Sequence, residues 1–160
     1  MGYERILVTL DGSKLAEAAL QHVKCVAQLG AQIHLLSIMA DDRMGEIAAL
    51  ASAVAQPGTA GRDQRFPSHM LPDPRAIHAR EDYLRQTGTW FEKAGFEVTV
   101  EVRPGHVIDM IVDVARDGFD VIVLATHGRT GLSRVALGSV AEGVLHRSPC
   151  PVLIIPTSTV

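Results

Sequence analysis

Apolar runs alternate with helical patterns along most of the chain, and this alternation constrains the fold more than any other feature of the sequence. Four of the five runs are rich in Val, Ile and Leu without strict alternation, which is typical of parallel strands covered on both faces. The third run does alternate, so we expect it near an edge of the sheet. The predicted strands are Arg5–Leu10, Gln32–Met39, Glu97–Arg103, Asp120–Ala125 and Pro151–Ile155.

The segments between these runs carry apolar residues at helical spacing. Helices are predicted over Ser13–Leu29, about Ala76–Ala94, His106–Asp117 and Ser139–Arg147. In the last helix Val140, Val144 and Leu145 are expected to face inward. Glycine just past a helix end adopts the left-handed conformation without a Cβ penalty. Three joints of this kind are predicted, at Gly30, Gly95 and Gly118. The sequence therefore predicts a doubly wound α/β fold, mostly parallel, with helices on both faces.

The chain of 160 residues fits a single domain, residues 1–160, with one long insertion at about 41–75. Glu46–Ala55 could form a helix, whereas Gln56–Pro74 holds four prolines and two glycines and is expected to be irregular. So long a loop in a compact domain is typical of a lid, a binding element or a disordered segment.

Composition and charge exclude several classes of protein. The chain is 47% hydrophobic and 21% charged, which excludes disorder over most of its length. A net charge of -3 gives no general footprint for nucleic acid. We find no apolar run long enough to span a membrane and no signal-peptide pattern. With two distant cysteines, Cys25 and Cys150, we expect a soluble cytoplasmic protein with reduced thiols.

The segments that follow the first and fourth strands predict an anion site, because ligands of doubly wound sheets bind at the carboxyl ends of the strands. Gly128 comes straight after the fourth strand, and Gly138 with Ser139 opens a helix. The free N–H groups at a helix start favour an anion, and Arg129 adds positive charge. The alternative needs no ligand, since Ser139 and Glu142 could form a capping box.

Two segments resemble the universal stress protein family. Ala125–Pro151 (ATHGRTGLSRVALGSVAEGVLHRSPCP) resembles the signature of that family, and Arg5–Ser13 (RILVTLDGS) resembles its opening strand and acidic turn. The resemblance covers nearly the whole chain outside the long insertion. It implies a Rossmann-like five-stranded sheet of strand order 3-2-1-4-5.

The resemblance also implies a ligand, ATP, with Mg²⁺ between the phosphates rather than on a protein side chain. ATP-binding members carry a glycine, two residues, a glycine, nine residues and then glycine with serine or threonine. Here Gly128 matches the second glycine and Gly138 and Ser139 match the end, while Ala125 replaces the first glycine. Because alanine adds only a methyl group, we expect a weakened or shifted ribose contact rather than exclusion.

The residues expected at the ATP site come from four places in the chain. Asp11 would contact the nucleoside, although it could also serve as a helix N-cap. Ile38 would offer main-chain groups to adenine, although it could simply belong to the core. His127 would lie in the phosphate loop, and the alternative is a plain turn residue. The predicted set is Thr9, Leu10, Asp11, Ile38, Met39, Leu124, Ala125, His127, Gly128, Arg129, Gly138, Ser139 and Val140.

The last apolar strand is bracketed by prolines, which places it at a sheet edge. The resemblance implies that this strand pairs with its copy in a homodimer. The predicted interface consists of Pro151, Val152, Leu153, Ile154 and Ile155. In the alternative, a monomer covers this edge with its tail, Thr157–Val160.

These expectations favour a regulatory, ATP-binding stress-response protein with no catalytic residues and little or no hydrolysis. The phosphate loop holds no carboxylate that could orient an attacking water. One alternative is an interaction module of the same fold that binds no nucleotide. A slow enzyme that hydrolyses ATP or transfers AMP is a third class.

Overall fold

The computed structural model describes residues 2–13, 17, 19–40, 73–127 and 138–157. Most of the long insertion, with the predicted helix Glu46–Ala55, lies outside the described residues, as do Gly128 and Arg129. In chain order the elements are β1 (Tyr3–Thr9), α1 (Leu20–Val26), β2 (Ala27–Ala40), α2 (Pro74–Glu92), β3 (Glu97–Gly105), α3 (Val107–Ala115), β4 (Val121–His127), α4 (Ser139–Arg147) and β5 (Val152–Thr157).

The five strands form one sheet in the order β3-β2-β1-β4-β5. Every neighbouring pair is parallel. The predicted fold class and strand order are confirmed, and so is the placement of β3 and β5 at the two edges. β2 and then β3 lie on one side of β1, and β4 and then β5 lie on its other side. The order therefore reverses between β1 and β4.

Helices cover both faces of the sheet, as predicted. On one face Leu20 of α1, with Leu84 and Phe91 of α2, packs on the even-numbered residues of β1 and the odd-numbered residues of β2. On the other face Ile111 of α3 and Val144 of α4 pack on the opposite sides of the same strands. The central strands are thus buried on both sides, which explains why their sequences are apolar without alternation.

The predicted end of the first helix is wrong. The helix ends at Val26 rather than Leu29, and Gly30 lies within β2 with a φ of 77° instead of ending a helix. Tyr3 pairs with Ala27 but Arg5 pairs with Gln32, so three extra residues bulge out of β2 here. The bulge leaves Leu29 90% exposed, whereas the other two predicted joints end in glycines of positive φ, at Gly95 and Gly118.

The predicted inward face of α4 is also wrong in part. Val140 and Leu145 are exposed, while Ala141 and Val144 are buried. A Cβ built on Gly143 would overlap Ile108 of α3, so α3 and α4 approach each other closely at this glycine. Val144 is buried as predicted, but the small residues Ala141 and Gly143 take the inward positions that were expected of Val140 and Leu145.

Candidate functional site

The candidate site lies at the carboxyl ends of β1 and β4, where the strand order reverses. The two strands pair in parallel, with Val8 opposite Val123, so their ends meet at one edge of the sheet. Thr9 ends β1 half-buried, and Leu10 follows it buried. The Leu10 N–H donates to the Leu36 carbonyl at 2.9 Å, which joins the end of β1 to β2.

Asp11 stands exposed in the turn that follows, residues 11–13, which we call the β1 turn. Its Oδ1 accepts a hydrogen bond from the Ser13 N–H at 2.8 Å. The bond closes a local turn, since aspartate commonly accepts from an amide two residues on; the N-cap of α1 is Ala19, so Asp11 does not cap this helix as the alternative expected. The bond from Ser13 fixes the orientation of the carboxylate at the mouth of the site.

The end of β4 forms the second wall. Leu124 and Thr126 are buried, and Ala125 is half-buried. His127 is the last residue of the strand and pairs with Thr157 of β5. The predicted residues Gly128 and Arg129 follow it and lie outside the described residues.

Gly138 brings the start of α4 against the end of β4. It has a φ of 78°, and a Cβ built on it would lie 2.9 Å from Thr126 Oγ1. Any side chain here would be strained and would push the helix start away from the strand. The close approach therefore requires glycine at this position.

The N-terminus of α4 is arranged differently from a capping box. The N-cap residue is Gly138, and Ser139 is the first helical residue. The first helical hydrogen bond runs from the Glu142 N–H to the Gly138 carbonyl at 2.9 Å. Among the described residues no side chain caps this end, so the capping-box alternative is wrong. The N–H groups of Ser139, Val140 and Ala141 thus precede the first helical bond.

At the end of β2, Ile38 and Met39 are half-buried. Ile38 packs against the core cluster beneath α3, as the core alternative expected. Its main chain pairs with Arg103 of β3. The strand nonetheless ends beside β1, so residues 38 and 39 lie at the same sheet edge as Leu10 and Asp11.

A residue that the sequence analysis missed also reaches the site. Arg80 of α2 donates a hydrogen bond from Nη1 to the main-chain carbonyl of Asp11. The two residues lie 69 positions apart, and an arginine on the half-exposed side of a helix carries no local pattern that would reveal the contact.

A chain of hydrogen-bonded polar side chains connects β2, β3 and α3 on the face opposite α2. His34 Nε2 lies 3.0 Å from Glu101, Arg103 Nε lies 2.5 Å from Glu101, and Arg103 Nη1 lies 3.1 Å from Asp113. Burial alone would raise the pKa of Glu101, but hydrogen bonds from Arg103 and His34 outweigh it and hold this pKa below its ordinary value.

Other sequence candidates do not assemble into a site. Within the described ranges we find no group of three or more histidine, cysteine or acidic residues that could hold a metal ion. Burial raises the pKa of the Cys150 thiol, which disfavours the thiolate. No helix in the described part of the chain is long and apolar enough to cross a membrane.

Comparison with known proteins identifies the family. The model of the universal stress protein family matches residues 2–156, nearly the whole length. The chain belongs to the universal stress protein family. Residues 125–151, which carry the family signature, thus belong to a member of this family. Ala125 replaces the first glycine of that signature.

Universal stress protein MJ0577 of Methanocaldococcus jannaschii is 31% identical over 157 residues, which cover 96% of this chain and 94% of that protein. A solved structure of MJ0577 superposes with a TM-score of 0.71 at 26% identity, and each chain is covered to 100%. The similarity thus extends over the entire domain.

Two further solved structures share the fold and contain nucleotides. One is a universal stress protein in complex with cAMP, with a TM-score of 0.59 at 23% identity, covering 99% of this chain and 100% of that one. The other is from Archaeoglobus fulgidus in complex with dAMP, with a TM-score of 0.59 at 21% identity, covering 97% and 99%.

Proposed function

We propose that this universal stress protein binds ATP at the carboxyl ends of β1 and β4. The observation that carries the proposal is the close approach of Gly138 to Thr126, which holds the N-terminus of α4 against the strand ends. A Cβ at Gly138 would lie 2.9 Å from Thr126 Oγ1, so only glycine allows the start of α4 to lie this close to the end of β4.

The start of α4 suits a phosphate group. The N–H groups of Ser139, Val140 and Ala141 precede the first helical hydrogen bond, and the helix dipole adds partial positive charge at this end. A phosphate chain can approach the bare main chain at Gly138 closely. Mg²⁺ would enter with the phosphates, and Gly128 and Arg129 would complete the loop.

The end of β1 suits the nucleoside. Asp11 presents an oriented carboxylate that can accept hydrogen bonds from ribose hydroxyls or an exocyclic amine. Thr9, Leu10, Ile38 and Met39 lie at the same edge of the sheet, and the half-buried side chains of Ile38 and Met39 offer apolar surface there. That two proteins of the same fold bind cAMP and dAMP supports an adenine nucleotide as the ligand.

The proposed role is regulatory, with little or no hydrolysis. Residues 128–138, which connect β4 to α4, contain neither aspartate nor glutamate. Phosphoryl transfer to water needs a group that orients the attacking water, and this loop supplies no carboxylate for that role. ATP would act as a ligand that stabilises one state of the protein, which we propose to be a cytoplasmic homodimer paired through β5.

Isothermal titration with Mg-ATP tests this proposal with a matched pair of variants. Gly138→Ala and Gly95→Ala both place a Cβ on a residue of positive φ. At Gly95, in the turn between α2 and β3, that Cβ would have no atom of the described residues within 4 Å apart from its chain neighbours. Both variants should lose stability, and only Gly138→Ala should also weaken ATP binding, by at least about tenfold.

The unaltered protein should bind one ATP per chain. If it releases no heat with Mg-ATP at high protein concentration, the ATP proposal fails and the interaction module is favoured. Equal ATP affinity in the two variants would place the phosphates away from α4.

A further inference from the structure

Helix α2 contacts the end of β1 through Arg80, which lies in its second turn. Nη1 of Arg80 donates a hydrogen bond to the main-chain carbonyl of Asp11. A hydrogen bond from a charged donor is stronger than one between neutral groups. The β1 turn is therefore attached to a helix that follows it by some 60 residues.

The guanidinium also packs on the bare main chain of the turn. Gly12 has a φ of 85°, and a Cβ built on it would lie 2.6 Å from Arg80 Nη1 and 3.5 Å from Cζ. The space that a side chain would need at residue 12 is thus filled by Arg80. Position and shape of the turn both depend on this contact.

The same turn orients Asp11. The Ser13 N–H donates to Asp11 Oδ1 at 2.8 Å from within the turn, while Arg80 holds the Asp11 carbonyl from outside it. The Ser13 N–H therefore fixes the side-chain carboxylate of Asp11, and Arg80 fixes its main-chain carbonyl. A change in either partner should move the carboxylate.

Tyr83 lies one helical turn further along α2, on the same side of the helix as Arg80. Burial, followed by the neighbouring Glu17 carboxylate, raises the pKa of its hydroxyl to about 12, with a smaller contribution from Asp11. This face of α2 therefore lies against the β1 turn.

We propose that Arg80 is a positioning residue of the nucleotide site, one that holds the β1 turn in the conformation from which Asp11 contacts the nucleoside. The ligand part of this inference rests on the proposed function. Because Arg80 binds the main chain of the turn rather than the phosphates, its loss should weaken adenosine and ATP binding by the same factor.

Titrations of adenosine and of Mg-ATP into the full chain test this role. Arg80→Gln should raise both dissociation constants by about tenfold, and Arg80→Lys should recover part of the loss. Arg85→Gln is the matched control: Arg85 lies on the same helix, its side chain is 65% exposed, and its Nη2 forms an ion pair with Glu81 within the helix at 3.6 Å. Unchanged affinity in Arg80→Gln, or a loss confined to ATP, would overturn the proposal.

Amide hydrogen exchange without ligand separates this proposal from the proposed function. In Arg80→Gln the Ser13 amide should exchange about tenfold faster, while the Val8 amide within β1 keeps its rate. Unchanged exchange at Ser13 would overturn the positioning role even if the protein binds ATP. If the unaltered protein binds neither ligand, the proposed function and the ligand part of the inference both fail. Faster exchange at Ser13 in Arg80→Gln would then show that Arg80 stabilises the β1 turn without a role in ligand binding.

Discussion

Gly12 and Gly138 have the same structural role on opposite sides of the candidate site. Each adopts a positive φ, and a Cβ on either would lie within 2.9 Å of a neighbouring polar side chain, Arg80 for Gly12 and Thr126 for Gly138. At each position the glycine lets a side chain, Arg80 or Thr126, pack directly against the main chain. These contacts hold the β1 turn and the start of α4 at the carboxyl ends of β1 and β4.

At the same scale, Glu101 should make stability depend on acid pH. Its pKa in the folded protein is held below the ordinary value by Arg103 and His34 against the opposing effect of burial. A lowered pKa means that the carboxylate stabilises the fold above its ordinary pKa, and that this contribution is lost as the pH falls through the lowered value. Glu101→Gln should therefore lose less stability on acidification than the unaltered protein.

Urea denaturation between about pH 6 and pH 3 measures this difference. Glu92→Gln, which removes an exposed carboxylate at the end of α2, is the control. If Glu101→Gln and Glu92→Gln show the same acid dependence as the unaltered protein, the ion pairs of Glu101 do not contribute to stability.

At the scale of elements, α2 is held to the sheet by a few fully buried side chains. Leu84 is 0% exposed and packs in the same core cluster as Leu35 and Val123. Leu84→Ala should lower the free energy of unfolding by about 2–5 kcal/mol, because it removes buried methyl groups and leaves a cavity. Leu29→Ala, at a leucine that is 90% exposed, should change it by less than about 0.5 kcal/mol.

Chemical denaturation of both leucine variants provides the comparison. Equal losses would contradict the packing described for α2, because the two substitutions are chemically the same and differ only in burial.

Elements with a strong apolar pattern could be predicted, and elements shaped by small residues or distant contacts could not. β4 and α3 follow directly from their apolar residues. The inner face of α4 depends on Ala141 and on Gly143 against Ile108, and small residues give a weak hydrophobic signal. The bulge around Gly30 depends on pairing with β1, which no local pattern encodes.

For the whole molecule, the sequence predicts which strand ends meet at the candidate site better than it predicts which distant side chains reach it. Parallel strands in this order must bring the ends of β1 and β4 together, so Asp11 and Thr126 meet at one edge. The contribution of Arg80 arises only when α2 folds back across the sheet. A single sequence shows no periodicity or motif that pairs an arginine with a turn 69 residues away.

The proposed homodimer makes a prediction about the open edge of β5. The Ile122 N–H donates to the Pro151 carbonyl, so odd-numbered residues of β5 bond to β4 and even-numbered ones direct their main-chain groups to the open edge. Ile154→Pro removes an outward N–H and spares the ladder with β4. It should convert a dimer into a monomer, whereas Ile154→Val should remain dimeric.

Native mass spectrometry and sedimentation velocity report the subunit number of these variants. An unaltered protein that is monomeric at all concentrations, or an Ile154→Pro variant that remains dimeric, would contradict pairing through β5.

Amide chemical shifts during a titration test the central claim most directly, because they locate the phosphates and the nucleoside separately. Mg-ATP should shift the amides of Ser139, Val140 and Ala141 as well as those of the β1 turn. Adenosine should shift the β1 turn and leave the start of α4 nearly unchanged. Shifts at the start of α4 that are equal for both ligands, or a titration with Mg-ATP that moves neither region, would contradict a nucleotide site at the ends of β1 and β4.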